Sequence, residues 1–443
     1  MAGHGEIAAR MFVRTLGHAG LVLTTAAGEP LLLTDPWLVG SVYWRSWWLQ
    51  NYPAEDELRD LQRTQFVYVT HSHPDHFHPP SLRALGKAPR YFVPAFPRNP
   101  MLGYLRDNGF DAEALAPFEW RTLAPGVRIL SMLLWNDDSI LLIDTPRALI
   151  LNFNDAKPPP RVVRHIRGLA ASLGKRCIVL SSYSPASLVN SFFRGHQQIS
   201  LRDKASYARY VSGLCDQLGA ADFMPFASQT VFLRSDSQWA NAFKVTFDDL
   251  RAGWTSGARL LPPYTRLDLS NFSHSFTAPA AYNTGTPGKA DAVAREQALN
   301  TAERMEAADF ELLRASLARV RWLLRWIAPT IGFHVGGQQF SFRAWANEVV
   351  PGTKGCRFVI RVPPHPFREA VRIGHIGDLG ITMFTFIDLQ PKVLQPKVSA
   401  FFVYLFFVIV TLNDYGYART LAGLVRWLPH ALRLTFVPPP LPR

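Results

Sequence analysis

The stretch that decides the reading of this chain is residues 66–80, Phe-Val-Tyr-Val-Thr-His-Ser-His-Pro-Asp-His-Phe-His-Pro-Pro. Residues 66–70 (FVYVT) have the β-branched and aromatic composition of a buried strand. That strand runs directly into His71, His73, Asp75 and His76, and residues 81–85 then open a helix. On a loop leaving a strand, His71 and His73 can turn both imidazoles on one metal ion. Asp75 and His76 can then serve a neighbouring ion. Imidazole and carboxylate are the donors that suit zinc or iron in catalytic sites. A solvated, His-rich surface loop is the bland alternative, and four such positions directly after a buried strand argue against it.

Working outward, apolar runs predict strands at 11–16, 21–24, 31–34, 91–93, 127–133, 140–143, 148–153, 177–181 and 222–226. Helical spacing predicts helices over 162–173, 203–218 and 238–250. The H-x-H-x-D-H motif after an apolar strand resembles the signature of the metallo-β-lactamase superfamily, and the resemblance covers about residues 10–255. It implies an α/β chain folded as a four-layer αββα sandwich with metal sites at one edge. Two branches look nearest. Residues 16–23 (LGHAGLVL, with Gly17 and His18) and 31–38 (LLLTDPWL, with Asp35) resemble the L-ascorbate-6-phosphate lactonase branch. Residues 71–85, 151–157 (LNFNDAK) and 224–241 (MPFASQTVFLRSDSQWAN) look like the metallo-β-lactamase-like part of CMP-N-acetylneuraminate hydroxylase. The Rieske iron–sulfur segment of that hydroxylase has no counterpart here.

The resemblance implies that Asp155, closing the run Ile150-Leu151-Asn152-Phe153-Asn154-Asp155, bridges two metal ions. A turn-capping Asp is the other reading. Two departures from the superfamily pattern bear on the metal. Residues 79–154 contain no histidine where one is usual, and Asp138, followed by Ser139, matches the acidic position of the hydroxylase-like branch. Asn136-Asp137-Asp138 also reads as an ordinary hairpin turn. A carboxylate replacing an imidazole favours iron or manganese over zinc. The last superfamily histidine, in a Pro-x-His pattern, is replaced by residues 225–228 (PFAS); His196 either enters the site from the loop 183–198 or lies on the surface. The expected cofactor is one or two divalent ions, zinc or iron, with manganese compatible.

Trp37, Trp44, Trp47 and Trp48 fall within 12 residues of a segment between Asp35 and the metal strand. Trp44, Trp47 and Trp48 read either as a substrate wall or lid, or as core.

The chain has 443 residues, 48% hydrophobic and 18% charged, which fits two or three globular domains and excludes overall disorder. Cys177, Cys215 and Cys356 are isolated, which excludes a disulfide framework, a zinc ribbon and a Rieske motif. G-x-S-x-G, P-loop and Rossmann fingerprints are absent, and no basic run reaches five residues, so nucleic acid is not an expected partner. A net charge of +13 points to a small anionic substrate or an anionic surface, and residues 301–443, with 17 basic and 9 acidic side chains, carry +8 of it. The first residues lack the basic and apolar regions of a signal peptide, so the expected location is cytoplasmic.

Three regions are expected: a catalytic domain (1–270), a linker with a long amphipathic helix (271–330), and a small mixed C-terminal domain (331–443). Within the middle region, residues 272–296 read as the linker and 297–327 as the helix, with Met305, Phe310, Leu313, Leu317, Val320 and Leu324 as its apolar stripe. Residues 398–412 (VSAFFVYLFFVIVTL) are uncharged but shorter than the ~20 residues of a spanning helix. A buried helix is the first reading and a surface-bound one, with peripheral membrane contact, the second. The oligomeric state is not legible.

The expected function is a metal-dependent hydrolase, in which metal-bound hydroxide attacks a small anionic ester, lactone or phosphate. Asp75 would hold metal or orient the water. The alternatives are a di-iron, O2-dependent oxygenase on the same fold, and a degenerate, non-catalytic member.

Overall fold

The computed structural model describes residues 10–276, 289–390 and 395–436. Two sheets are stacked face to face. The first has eight strands, and its central members are Met11–Leu16, Gly20–Thr25, Pro30–Thr34, Phe66–Tyr68 and Arg90–Pro94. The second has seven, with Val127–Leu133, Ser139–Asp144, Ala148–Asn152, Arg176–Ser182 and Asp222–Phe226 at its centre.

Strand periodicity explains the layers. Along Ala148–Asn152, Ala148 and Ile150 point into the core between the sheets, while Leu149 and Leu151 face the opposite way. Ile178 and Leu180 divide from Cys177 and Val179 in the same manner. In the first sheet Tyr68 and Phe92 enter the inter-sheet core, and Val67, Tyr91 and Val93 face outward. Both faces of each sheet are therefore apolar and both must be covered.

Helices α1 (Glu55–Leu61), α2 (Pro79–Leu85) and α3 (Pro100–Asp107) cover the first sheet through Leu61, Leu82, Leu85, Met101 and Leu105. Helices α4 (Pro160–Leu173), α5 (Lys204–Leu218) and α6 (Phe247–Ala252) cover the second, through Ile166, Val211 and Leu250 among others. This is the expected four-layer αββα sandwich.

The helix expected over 238–250 is two pieces. A short 3-10 helix, Gln238–Phe243, ends before Thr246, and Thr246 restarts the chain as the cap of α6 by exchanging hydrogen bonds with Asp249.

Beyond the sandwich, α7 (Lys289–Ala302), α8 (Ala307–Ala318) and α9 (Arg321–Ile327) replace the single helix expected over 297–327, and α7 begins inside the expected linker. The apolar stripe is nevertheless buried, except Phe310, which is partly so. The break has an electrostatic cause. Asp309 is fully buried, caps the Glu306 backbone, and accepts from Arg368 (2.7 Å) and Arg372 (3.0 Å). Arg368 also binds Glu303 and Glu306. A straight helix would pull these three carboxylates away from Arg368, the guanidinium they share. The rest of the expected linker, residues 277–288, lies outside the described residues.

A third sheet of seven strands is built mainly from Thr330–Val335, Gln338–Arg343, Glu348–Pro351, Phe358–Val362 and Phe386–Leu389. Its other two strands come from the first part of the chain. The hairpin Phe192–Arg194 and Gln197–Ile199 leaves the sandwich and pairs in parallel with Phe386–Leu389. α10 (Pro364–Ile373) and α11 (Pro396–Asp414) pack on this sheet, the latter through Val403, Phe406 and Val410. α11 contains the uncharged run and is the one helix among the described residues long and apolar enough to cross a membrane. α12 (Leu421–Phe436) ends the described chain.

Candidate metal centre

The loops that carry the notable polar residues all leave one edge of the sandwich. His18 sits in the turn between the first two strands, and Asp35 follows Pro30–Thr34. His71 to His76 follow Phe66–Tyr68, Asp138 lies in the hairpin before Ser139–Asp144, and Asp155 follows Ala148–Asn152.

Asp35 organises the loop and is completely buried. Its Oδ1 accepts from the Thr70 backbone at 2.7 Å and its Oδ2 from the Thr70 hydroxyl at 2.8 Å. The same Oδ2 lies 3.0 Å from Nδ1 of His76. With Nδ1 engaged, His76 turns its Nε2 toward Asp75 Oδ2 (3.5 Å) and Asp155 Oδ1 (3.8 Å). His71 is held by the Thr70 hydroxyl at its Nδ1 (3.0 Å) and points Nε2 at His73 Nδ1 (2.8 Å) and Asp155 Oδ1 (3.8 Å). Asp155 is aimed by Asn154, a non-glycine residue at φ 44° whose side chain bonds the Ser139 carbonyl (2.7 Å) and the Asp155 amide (2.6 Å).

Two groups of potential ligands result. One joins His71, His73 and Asp155; the other joins His18, Asp75 and His76. Within each, the ligand atoms lie within 4.8 Å of one another. Each offers two imidazoles and one carboxylate, a donor set that suits zinc or iron. Three buried ring or carboxylate atoms, His18 Nδ1, His76 Nε2 and Asp155 Oδ1, have no hydrogen-bond partner. Unsatisfied buried polar atoms are costly, and a cation among them removes that cost. The residues therefore fit one or two divalent ions.

The electrostatics agree. Burial alone would lower His76, yet Asp75, Asp155 and Asp35 outweigh it and raise its pKa well above the ordinary value. Burial would likewise raise Asp75, but His76 and His18 pull it well below the carboxylate range. His71 is pushed down, first by burial and then by His76. Without metal, the cluster needs a proton on a histidine to balance its carboxylates.

Asp138 stands apart from both groups. Its Oδ1 accepts from the Ser139 amide at 2.6 Å and lies 3.5 Å from Nδ1 of His71, the ring edge opposite the one facing His73 and Asp155. Burial and then Asp155 push its carboxyl well up. His196 is exposed at the turn of the hairpin that joins the third sheet and belongs to neither group.

The tryptophans divide. Trp47 is buried with its ring edge-on to His18 at 6.1 Å, and its indole donates to the Ile381 carbonyl at 3.1 Å. Trp48 is buried and bonded to the Arg45 carbonyl, while Trp44 packs on Phe384 and bonds Glu369. All three knit the loop into the protein, and none lines the cavity beside the cluster.

Four residues of the neighbourhood escaped the sequence reading as site residues. His18 and Asp35 sit in segments that resemble the lactonase branch, and that resemblance was their only signal. Tyr43 donates to Asp75 Oδ1 at 2.7 Å from a loop with no motif. Asp378 comes from the C-terminal region and shares with His73 the wall of a cavity of about 330 Å³. Burial raises Asp378, and His73 partly offsets the rise.

No protein-family model matches the chain. A cytidine monophosphate-N-acetylneuraminic acid hydroxylase from Danio rerio is 31% identical over 144 residues, 30% of this chain and 24% of the relative. A Mycobacterium tuberculosis protein named for a Rieske 2Fe-2S iron–sulfur centre is 28% identical over 324 residues, 64% of this chain and 60% of the relative. The chain thus spans about a quarter to three-fifths of the length of these relatives. Among solved structures, Igni18, a metallo hydrolase from Ignicoccus hospitalis, aligns with a TM-score of 0.38 at 13% identity, over 58% of this chain and 98% of that one.

Proposed function

We propose that this metallo-β-lactamase-like protein is a metal-dependent hydrolase of a small-molecule ester, lactone or phosphate. The observation that carries the reading is the pair of convergent groups, each of two histidines and one aspartate, with buried ligand atoms left unpaired. His71, His73 and Asp155 hold one ion and His18, Asp75 and His76 a second. Bound there, a divalent ion supplies Lewis acidity and an activated water. Asp35 fixes the His76 tautomer and Tyr43 fixes the Asp75 carboxylate, so the donors are set before metal arrives. Asp138 orients His71 through its Nδ1 edge instead of ligating.

A second reading is favoured by the sequence likeness to a hydroxylase: an O2-dependent iron enzyme on the same donor set, fed electrons by a separate protein. Elemental analysis of protein purified without added metal, then turnover of an ester, lactone and phosphodiester panel in air and under nitrogen, separates the two. The hydrolase reading expects bound metal and turnover indifferent to oxygen. Two iron ions with oxygen-dependent turnover would overturn it. His71→Ala and Asp155→Ala should each lose metal; equal, negligible metal in the wild type and both variants would mark a non-catalytic protein.

A further inference from the structure

The cavity beside His73 is walled by a part of the chain the metal cluster does not explain. Of about 330 Å³, it lies at the lower end of small-molecule sites, roughly 300–1,000 Å³. One wall is α11, through Tyr404, Phe407, Val408 and Leu412; Trp135 and Ile381 add to its apolar surface. A small, purely anionic substrate has no use for such a lining, whereas a hydrocarbon chain does.

The helix after that wall shows what could deliver one. Leu421, Val425, Leu428, Leu432 and Phe436 of α12 are exposed, and their spacing of three and four residues puts them on one face. The opposite face is anchored: Trp427 packs against Trp135 and Tyr417, both of which also line the cavity. At the start of α11, Val398 and Phe401 are exposed as well. Residues 415–436 carry Arg419, Arg426 and Arg433 and no acidic side chain. An apolar stripe on a helix with only cationic charge is complementary to an anionic bilayer surface.

We propose that the substrate is an amphiphile resident in an anionic membrane, with α12 lying in the headgroup region and the hydrocarbon chain entering the cavity beside His73. The proposal rests on the metal-centre reading for the chemistry, but its binding steps do not need metal.

Two measurements on the full chain test it. The first is sedimentation with phosphatidylcholine vesicles, with and without phosphatidylglycerol. The wild type should pellet with the anionic vesicles, less so at high salt, and Leu428→Glu/Leu432→Glu should weaken this by about tenfold or more. The second is saturable binding of a dansyl-labelled fatty acid. It should be lost in Val408→Trp, which fills the cavity with another apolar side chain, and kept in Leu428→Glu/Leu432→Glu. Circular dichroism confirms that each variant is folded; if Val408→Trp is not, competition of unlabelled fatty acid against the probe on the wild type replaces it. Wild type that ignores anionic vesicles, or whose stripe is covered in a dimer by light scattering, overturns the membrane assignment; absence of saturable probe binding overturns the chain assignment. Repeating both on Asp155→Ala keeps the two readings apart. Vesicle and probe binding in a protein without turnover would fault the chemistry alone, and metal with turnover but neither binding would fault the amphiphile alone.

Discussion

Asp35 would touch no substrate, yet it fixes the metal loop at three points: the Thr70 amide, the Thr70 hydroxyl and the His76 ring. Such carboxylate partners of ligating histidines typically account for 10–100-fold in metal affinity. Asp35→Asn should therefore weaken metal binding by roughly that factor in a chelator competition titration, with the fold retained. His76 makes a second expectation at this scale. In the metal-free protein its pKa is raised well above 6.5, because Asp75 and Asp155 overcome the effect of burial. Metal must displace that proton, so apparent affinity should keep climbing with pH above 6.5 instead of levelling there, and each ion bound should release protons measurable in weak buffer. Lys244 offers a test outside the site. Its ammonium is buried without a hydrogen-bond partner, and burial lowers its pKa to about 7 from 10.5. The unfolded chain binds that proton more tightly, so the residue makes stability rise between about pH 7 and 10.5. Lys244→Met should raise the thermal midpoint at pH 7 and lose its advantage towards pH 10.5.

Among the elements, the loop Tyr43–Arg45 bears the clearest strain. Three successive non-glycine residues have φ of 50°, 51° and 61°, a run of left-handed backbone that L-residues adopt singly. It persists because its surroundings hold it. The Arg234 guanidinium binds the Trp44 carbonyl (2.9 Å), the Trp48 indole binds the Arg45 carbonyl (2.7 Å), and Tyr43 binds Asp75. Both Arg45→Val and Arg45→Gly lose the contact with buried Glu296, so in urea unfolding Arg45→Val should be less stable than Arg45→Gly by about 1–3 kcal/mol. Elements also show where sequence is readable. The metal loop was legible because its successive donors are one or two residues apart on one strand exit. The sandwich strands were legible because strands buried on both faces read as continuous apolar runs. His18 was not legible as a partner of Asp75, since they come together only when strands from distant parts of the chain align. Asp138 was legible as a carboxylate near the site but not as one facing the far edge of His71, because sequence carries no ring orientation. The breaks after Ala302 and Ala318 were hidden by an unbroken apolar stripe; the buried Asp309–Arg368 pair accounts for the first of them.

At the scale of the whole molecule, the C-terminal region is part of the site. It supplies Asp378 and α11 to the cavity, bonds Trp47 through the Ile381 carbonyl, and receives the hairpin 192–199 as strands of its sheet. A chain ending at residue 270 would leave that hairpin unpaired and the apolar cavity wall missing. Such a fragment should be found in the insoluble fraction, and co-expression of residues 289–443 should restore soluble material. Residues 301–443 carry most of the excess positive charge, and α12 contributes Arg426 and Arg433 to it.

The parallel pairing of Phe192–Arg194 with Phe386–Leu389 also sets a timetable. About 190 residues separate the partners, so a ribosome adding roughly 5–20 residues per second delivers the second some 10–40 s after the first. Throughout that interval the hairpin 192–199 lacks its partner in the third sheet and the metal loop has one side open. Closure of the centre is thereby deferred until Phe386–Leu389 and α11 have been made, and the metal loop stays open to an ion until then.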